Sequence, residues 1–224
     1  MENKTISNPN NERMERESKL NKISENNNPY PSKTSRTHSI ASVLSDFANL
    51  ESKKENIILA GRIIGLRTHG NLSFANLKDA SGEIQLAFSK NELGEDYKSF
   101  VKLIDMADFL EVDGACFVTH KGENSVLVKK YKVLSKALLP LPEKWHGLKD
   151  EEERLRKRYL DLISNVDLRE IFIKKSKFWQ VTRDFMIKKG FFEVETPVLE
   201  TTTGGAEARP FKTHHNDFDL DVYL

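Results

Sequence analysis

Between residues 56 and 134 apolar side chains recur at every second position, and that rhythm is the tightest constraint on what this chain can fold into. Segments 57–65 (IILAGRIIG), 72–78 (LSFANLK), 83–89 (EIQLAFS), 109–118 (FLEVDGACFV) and 125–134 (SVLVKKYKVL) read as short strands. Turn-rich RTHGN, DASG and HKGEN separate them. Between the third and fourth segments, NELGEDYKSFVKLID spaces Tyr97, Phe100, Val101 and Ile104 for one helix.

Five short strands with a helix between the third and fourth is the order of an OB-fold, a small Greek-key barrel that presents strands 2 and 3 to oligonucleotides. A five-stranded barrel of another kind shares that count. Charge does not choose between them: Lys+Arg is 35 and Asp+Glu 34, a net charge of +1. Nucleic acid held by bulk positive charge is therefore excluded, and any such contact must be local.

The flanks are different in character. Residues 1–39 carry six apolar side chains (Met1, Ile6, Met14, Leu20, Ile23, Tyr30), eight asparagines, seven basic and five acidic residues. Too little surface is available there to offset the conformational entropy of ordering, so 1–39 is expected to be a disordered or loosely docked arm. It reads as a solvated tail rather than a basic RNA-gripping arm, because blocks of like charge are missing. NNPYP at 27–31 ends it as an extended lead-in. Ile40, Val43, Leu44 and Phe47 fit a short amphipathic helix over 40–50, so the barrel domain is set at 40–134. Residues 135–150, with two prolines and no period, read as a linker.

From 151 the pattern is helical. Over 167–189 apolar pairs fall seven apart at Ile171/Phe172, Phe178/Trp179 and Phe185/Met186, with Asp167 as N-cap and Gly190 as the closing glycine. FFEVETP follows as a strand stopped by Pro197, which cannot donate to a ladder and belongs at an edge or interface. One helix cannot bury that apolar face alone. A partner subunit or a sheet must cover it.

A single cysteine, Cys116, excludes an intramolecular disulfide and any multi-cysteine metal site. No apolar run approaches the ~20 residues of a membrane span, and MENKTISNPN has no signal-peptide core, so a cytoplasmic protein without a membrane partner is expected. His214 and His215 are adjacent, face different ways and have no third ligand in spacing, so no metal site is assigned. Arg154, Arg156, Lys157 and Arg158 beside Glu151–Glu153 read as a solvated, salt-bridged face, with contact to an RNA backbone the other reading.

The stretch from Ala137 to Leu224 resembles lysyl-tRNA synthetases, class II enzymes in which an OB-fold precedes the catalytic domain. The likeness rests on ALLPLPEKWHGLKDEEERLRKRYLDLISN, GFFEVETPVLE and TTTGGAEARPFKTHHNDFDLDVYL, and more diffusely on AGRI and IQL in the barrel, covering roughly residues 27–224. It implies a β-barrel plus α+β architecture: a five-stranded OB-fold, then the start of an antiparallel class II catalytic domain over 151–224. FFEVETP is similar to the family's motif 1, the helix–strand–proline element of its homodimer, which implies interface roles for Phe178, Trp179, Phe185 and Pro197.

The resemblance also implies an anticodon-reading face at Arg67, Phe74, Gln85 and Glu123, whose target is the central uracil of the lysine tRNA anticodon. Part of that case is independent. Ile84, Leu86 and Phe88 share one face of their strand, so Gln85 points the other way, and its amide carries the donor and acceptor that uracil's edge requires. Phe74 is suited to stack a splayed base, or else is a core aromatic. Arg67 and Glu123 are otherwise solvated loop charges. Gly204, Gly205 and Ala206 resemble the family's amino-acid loop, where small residues admit the substrate's α-amino group; an ordinary glycine turn is the other reading.

Lysine, ATP and Mg are the substrates and cofactors of the complete family enzyme. The family's two ATP-clamping arginines, in motifs 2 and 3, have no counterpart in these residues. No catalytic residue is therefore assigned within the chain, tight binding of ATP or Mg is not expected, and the 224 residues alone are expected to be inactive. The chain reads as the N-terminal part of a lysine–tRNA ligase, truncated in mid-strand at DVYL; a non-catalytic tRNA anticodon-binding module is the alternative.

Overall fold

The computed structural model describes residues 9–142, 150–204, 207 and 209–224. The first part of the arm, residues 143–149 of the linker segment, Gly205, Ala206 and residue 208 lie outside these described residues. The chain forms two compact units, Met1–His146 and Gly147–Leu224.

In the first unit, β1 (Asn56–His69), β2 (Leu72–Lys78), β3 (Glu83–Ser89), β4 (Phe109–Val118) and β5 (Asn124–Ser135) close a barrel in the order β1-β2-β3-β5-β4. All neighbours are antiparallel except β3 and β5. This is the OB-fold the strand order implied. Ile57, Leu59, Leu77, Leu86, Phe88, Leu110, Val112 and Val126 fill its interior, each from the inward phase of its strand. Closure demands close backbone approach at Gly114, where the register of β4 and β5 slips: a Cβ there would lie 2.2 Å from the Leu127 carbonyl oxygen.

The helical segment between β3 and β4 is two helices, α4 (Lys90–Leu93) and α5 (Asp96–Leu103). Gly94, at φ 58°, breaks the single helix that the apolar spacing implied. Tyr97 and Phe100 of α5 plug the barrel, Phe100 stacking on Phe88 at 3.8 Å between ring centroids. The 40–50 helix is likewise two pieces, α2 (Ile40–Ser45) and α3 (Phe47–Lys53), because Asp46 leaves helical geometry. Ser39 caps α2, and Asp79 holds its first amide through Oδ2 at 3.1 Å from Ile40 N.

The expectation of a disordered or loosely docked arm is corrected for 9–26, which form helix α1 (Pro9–Asn26) on the barrel unit. Arg16, Lys19, Leu20 and Ile23 make its inward stripe at helical spacing. Arg16 is only 6% exposed and donates to the carbonyls of Met106 (3.0 Å) and Ala137 (3.2 Å), while Lys19 binds Asp105 at 2.7 Å. Charge-assisted bonds replace the apolar surface that the arm lacks. The linker reading is corrected at its start for a similar reason. β5 runs to Ser135, Lys136 is buried against Asp108 at 2.7 Å, and the Ala137 amide donates to Asp108, so 135–137 belong to the barrel unit.

The second unit holds α6 (Glu151–Arg156), α7 (Arg158–Ser164), α8 (Val166–Lys188) and the antiparallel pair β6 (Lys212–His215) and β7 (Leu220–Tyr223). Buried Asp161 ties α6 to α7 by taking bonds from Arg154 (3.2 Å) and Arg158 (3.1 Å), and Lys157–Glu153 and Arg156–Glu152 complete a salt-bridged face. α8 is capped by Asn165 rather than Asp167, its Oδ1 accepting from the Leu168 amide, and it ends at Gly190 with φ 87°. FFEVETP forms no strand: residues 191–197 join no ladder with another described segment, and Glu193 is held instead by Arg183 of α8 at 2.7 Å. Among the described residues no helix is long and apolar enough to cross a membrane.

Candidate nucleic-acid interface

The outer face of the barrel is set by the pleat. Ser73, Ala75 and Leu77 of β2 turn inward, so Phe74, Asn76 and Lys78 turn outward, and Phe74 is half-buried on the surface rather than in the core. Registry lines these positions up. Arg67 opposes Phe74, and Phe74 opposes Ala87. One row further along, Asn76 opposes Gln85, Gln85 opposes Ser125, and Ser125 opposes Phe117.

Gln85 is 8% exposed and its amide is bonded at both ends. Nε2 donates to Glu123 Oε2 at 2.7 Å, and Oε1 accepts from the Ser125 hydroxyl at 2.9 Å. Glu123 is itself placed by the β4–β5 turn. Its amide donates to Thr119 Oγ1 and its carbonyl accepts from the Thr119 amide, both at 3.0 Å, around Gly122 at φ 79°. Each end of the Gln85 amide keeps one further hydrogen-bonding position, because an NH2 has two hydrogens and a carbonyl oxygen two lone pairs.

The structure thus joins Gln85 to Glu123 directly and puts Phe74 opposite Arg67, with Arg67 exposed at the rim. Ser125, Thr119 and Phe117 join this surface although the sequence alone does not single them out. Phe117 was recoverable, since Cys116 beside it is buried and the alternation puts Phe117 outside. Ser125 and Thr119 carry no signal of their own, because their roles depend on registry between strands distant in sequence.

Among the described residues no cluster of three or more His, Cys, Asp or Glu side chains is placed to hold a metal. His214 instead pairs with Asp221 (3.1 Å) and Asp219 (3.4 Å). Burial pushes the Cys116 thiol up to about 11, so it is no nucleophile. In the second unit Gly204 has no positive φ, and a Cβ there would meet nothing within 4 Å, so no turn demands the glycine. Phe178 (63% exposed), Trp179, Phe185 and Pro197 all lie on the surface of that unit.

Comparison with known proteins agrees with this architecture. Residues 57–134 match the OB-fold nucleic acid binding domain of the anticodon-binding type, and residues 150–224 match the class II tRNA synthetases of the D, K and N group. The barrel is thus similar to an anticodon-binding OB-fold domain and the second unit to the opening of the class II tRNA synthetases. Within them its kinship is with the N-terminal part of lysine–tRNA ligases. It is 47% identical to the lysine–tRNA ligase of Carboxydothermus hydrogenoformans over 95% of this chain and 43% of that protein. The lysine–tRNA ligases of Dehalococcoides mccartyi (strain CBDB1) and Clostridium tetani are 47% and 45% identical over 88% and 86% of the chain, and 40% and 38% of their own lengths. The chain spans about two fifths of the length of these curated relatives.

Proposed function

We propose that the barrel unit binds the anticodon loop of lysine tRNA and reads its central uracil, as the recognition part of a cytoplasmic lysine–tRNA ligase. The observation that carries the reading is the outward Phe74 beside a row in which the Gln85 amide is already fixed between Glu123 and Ser125. Phe74 stacks the splayed base, Gln85 pairs with its edge, and Arg67 meets a phosphate or a neighbouring base at the rim.

In this reading the second unit supplies the homodimer element and the loop beginning at Gly204 that admits lysine's α-amino group. Gly204, Gly205 and Ala206 are the small residues that this reading assigns to that substrate. ATP and Mg belong to the complete ligase. Adenylation requires a clamp and a metal to offset charge on the reacting phosphorus, and among the described residues no metal-holding cluster is placed; lysine-dependent ATP–pyrophosphate exchange by these residues alone is expected at background.

Titration of the chain with RNA hairpins of lysine-anticodon type tests the recognition step. The unaltered chain is expected to prefer a loop with central uracil over one with cytosine, and Phe74→Ala to lose about 1–3 kcal/mol with the uracil loop. Equal affinity for the two loops contradicts the reading.

A further inference from the structure

A glutamine amide does not by itself select uracil. Its oxygen and NH2 exchange places when the group turns by half a rotation. In one setting it meets an N3–H donor beside a carbonyl, the edge of uracil. In the other it meets an N3 acceptor beside an amino group, the edge of cytosine. Something must therefore fix the amide before the base arrives.

We propose that Glu123 and Ser125 are positioning residues that together hold the Gln85 amide, Ser125 in place and Glu123 in one orientation, and that this hold sets the preference for uracil over cytosine. The inference rests on the base-reading function proposed above. A carboxylate only accepts, so the Glu123 Oε2 at 2.7 Å requires the NH2 end of Gln85 to face it. Turning the amide would set two acceptors against each other at that distance, and on the Gln85 side water has little access, since Gln85 is 8% exposed and Ser125 fully buried while Glu123 reaches solvent.

Ser125 secures the other end. Its hydroxyl donates to Gln85 Oε1 at 2.9 Å, and with the Glu123 carbonyl 3.2 Å away it stays bonded in either setting. Ser125 therefore fixes where the amide sits, while the Glu123 carboxylate fixes which way it faces. The backbone behind both is rigid: Ser125 pairs with Gln85 across the parallel β3–β5 ladder, and Thr119 bonds both the amide and the carbonyl of Glu123. The second N–H and second lone pair of Gln85 remain for the base.

The test compares uracil-loop and cytosine-loop hairpins on the unaltered full chain, on Glu123→Gln and on Ser125→Ala, with the barrel's fold checked by its amide spectrum. Glu123 is exposed, and its isosteric replacement leaves the fold intact while supplying a donor that tolerates the turned amide. Glu123→Gln is expected to bind the cytosine loop more tightly than the unaltered chain does, lowering the uracil-over-cytosine ratio about tenfold. Ser125→Ala lowers that ratio about threefold. A residue that only supports the fold, or that contacts another base, changes both affinities by one factor and leaves the ratio alone; that result, with the unaltered chain still preferring uracil, overturns the positioning role and spares the base-reading function. No preference in the unaltered chain overturns both.

Discussion

Asp79 shows how much one side chain organises in this barrel. Burial raises its carboxyl, but the Ser81 hydroxyl and the amides of Ile40, Ser81 and Gly82 outweigh burial and hold it below the ordinary aspartate range. A carboxylate depressed in the folded state stabilises above its unfolded pKa, and that contribution is lost as pH falls through the folded value. Asp79→Asn is expected to cost about 1–3 kcal/mol at neutral pH, with the gap from the unaltered chain closing below about pH 4. Urea unfolding followed at the Ile40 amide measures it; a gap independent of pH contradicts the assignment. At this same scale the sequence was only partly legible. That Gln85 leaves the core followed from Ile84, Leu86 and Phe88 alone, and Phe74 proved to share that outward face. The bonds that fix Gln85 come from residues 38 and 40 positions away, and no local pattern encodes them.

Elements were legible where apolar period was the whole cause. The strands of the barrel fall at their expected places, because a pleated half-buried ribbon leaves alternation in the sequence. α1 is not legible in the sequence because its inward stripe, Arg16, Lys19, Leu20 and Ile23, is half cationic and satisfies its charges on Met106, Ala137 and Asp105. Glycine decided the split between α4 and α5, a backbone effect that side-chain spacing does not report. α8 gives the element-scale prediction. Ile171, Phe178, Trp179 and Phe185 are each more than half exposed, and a helix that presents so much apolar surface associates. If α8 is the homodimer element proposed above, the face is self-complementary, burying the same side chains on both copies at ~25 cal/mol per Å2. Residues 147–224 are expected to dimerise or aggregate in light scattering, and 1–146 to remain monomeric at the same concentration. A soluble monomer of 147–224 contradicts the interface role of Phe178, Trp179 and Phe185.

The whole molecule divides into two units, one matching an OB-fold nucleic acid binding domain and one carrying the opening of a class II synthetase domain. Under the function proposed above, the near-zero net charge fits RNA binding by a few placed groups rather than by a field, so specificity is expected to reside in base contacts and not in salt-sensitive attraction. The most direct measurement follows the side-chain amide of Gln85 by NMR in the full chain while RNA hairpins are added. A hairpin with central uracil is expected to shift both Gln85 Nε2 protons and to perturb the Phe74 ring, and the hairpin changed only to cytosine at that base to leave both nearly in place at the same concentration. Identical perturbations by the two hairpins, or shifts confined to residues away from Phe74 and Gln85, contradict the claim that this face reads the base.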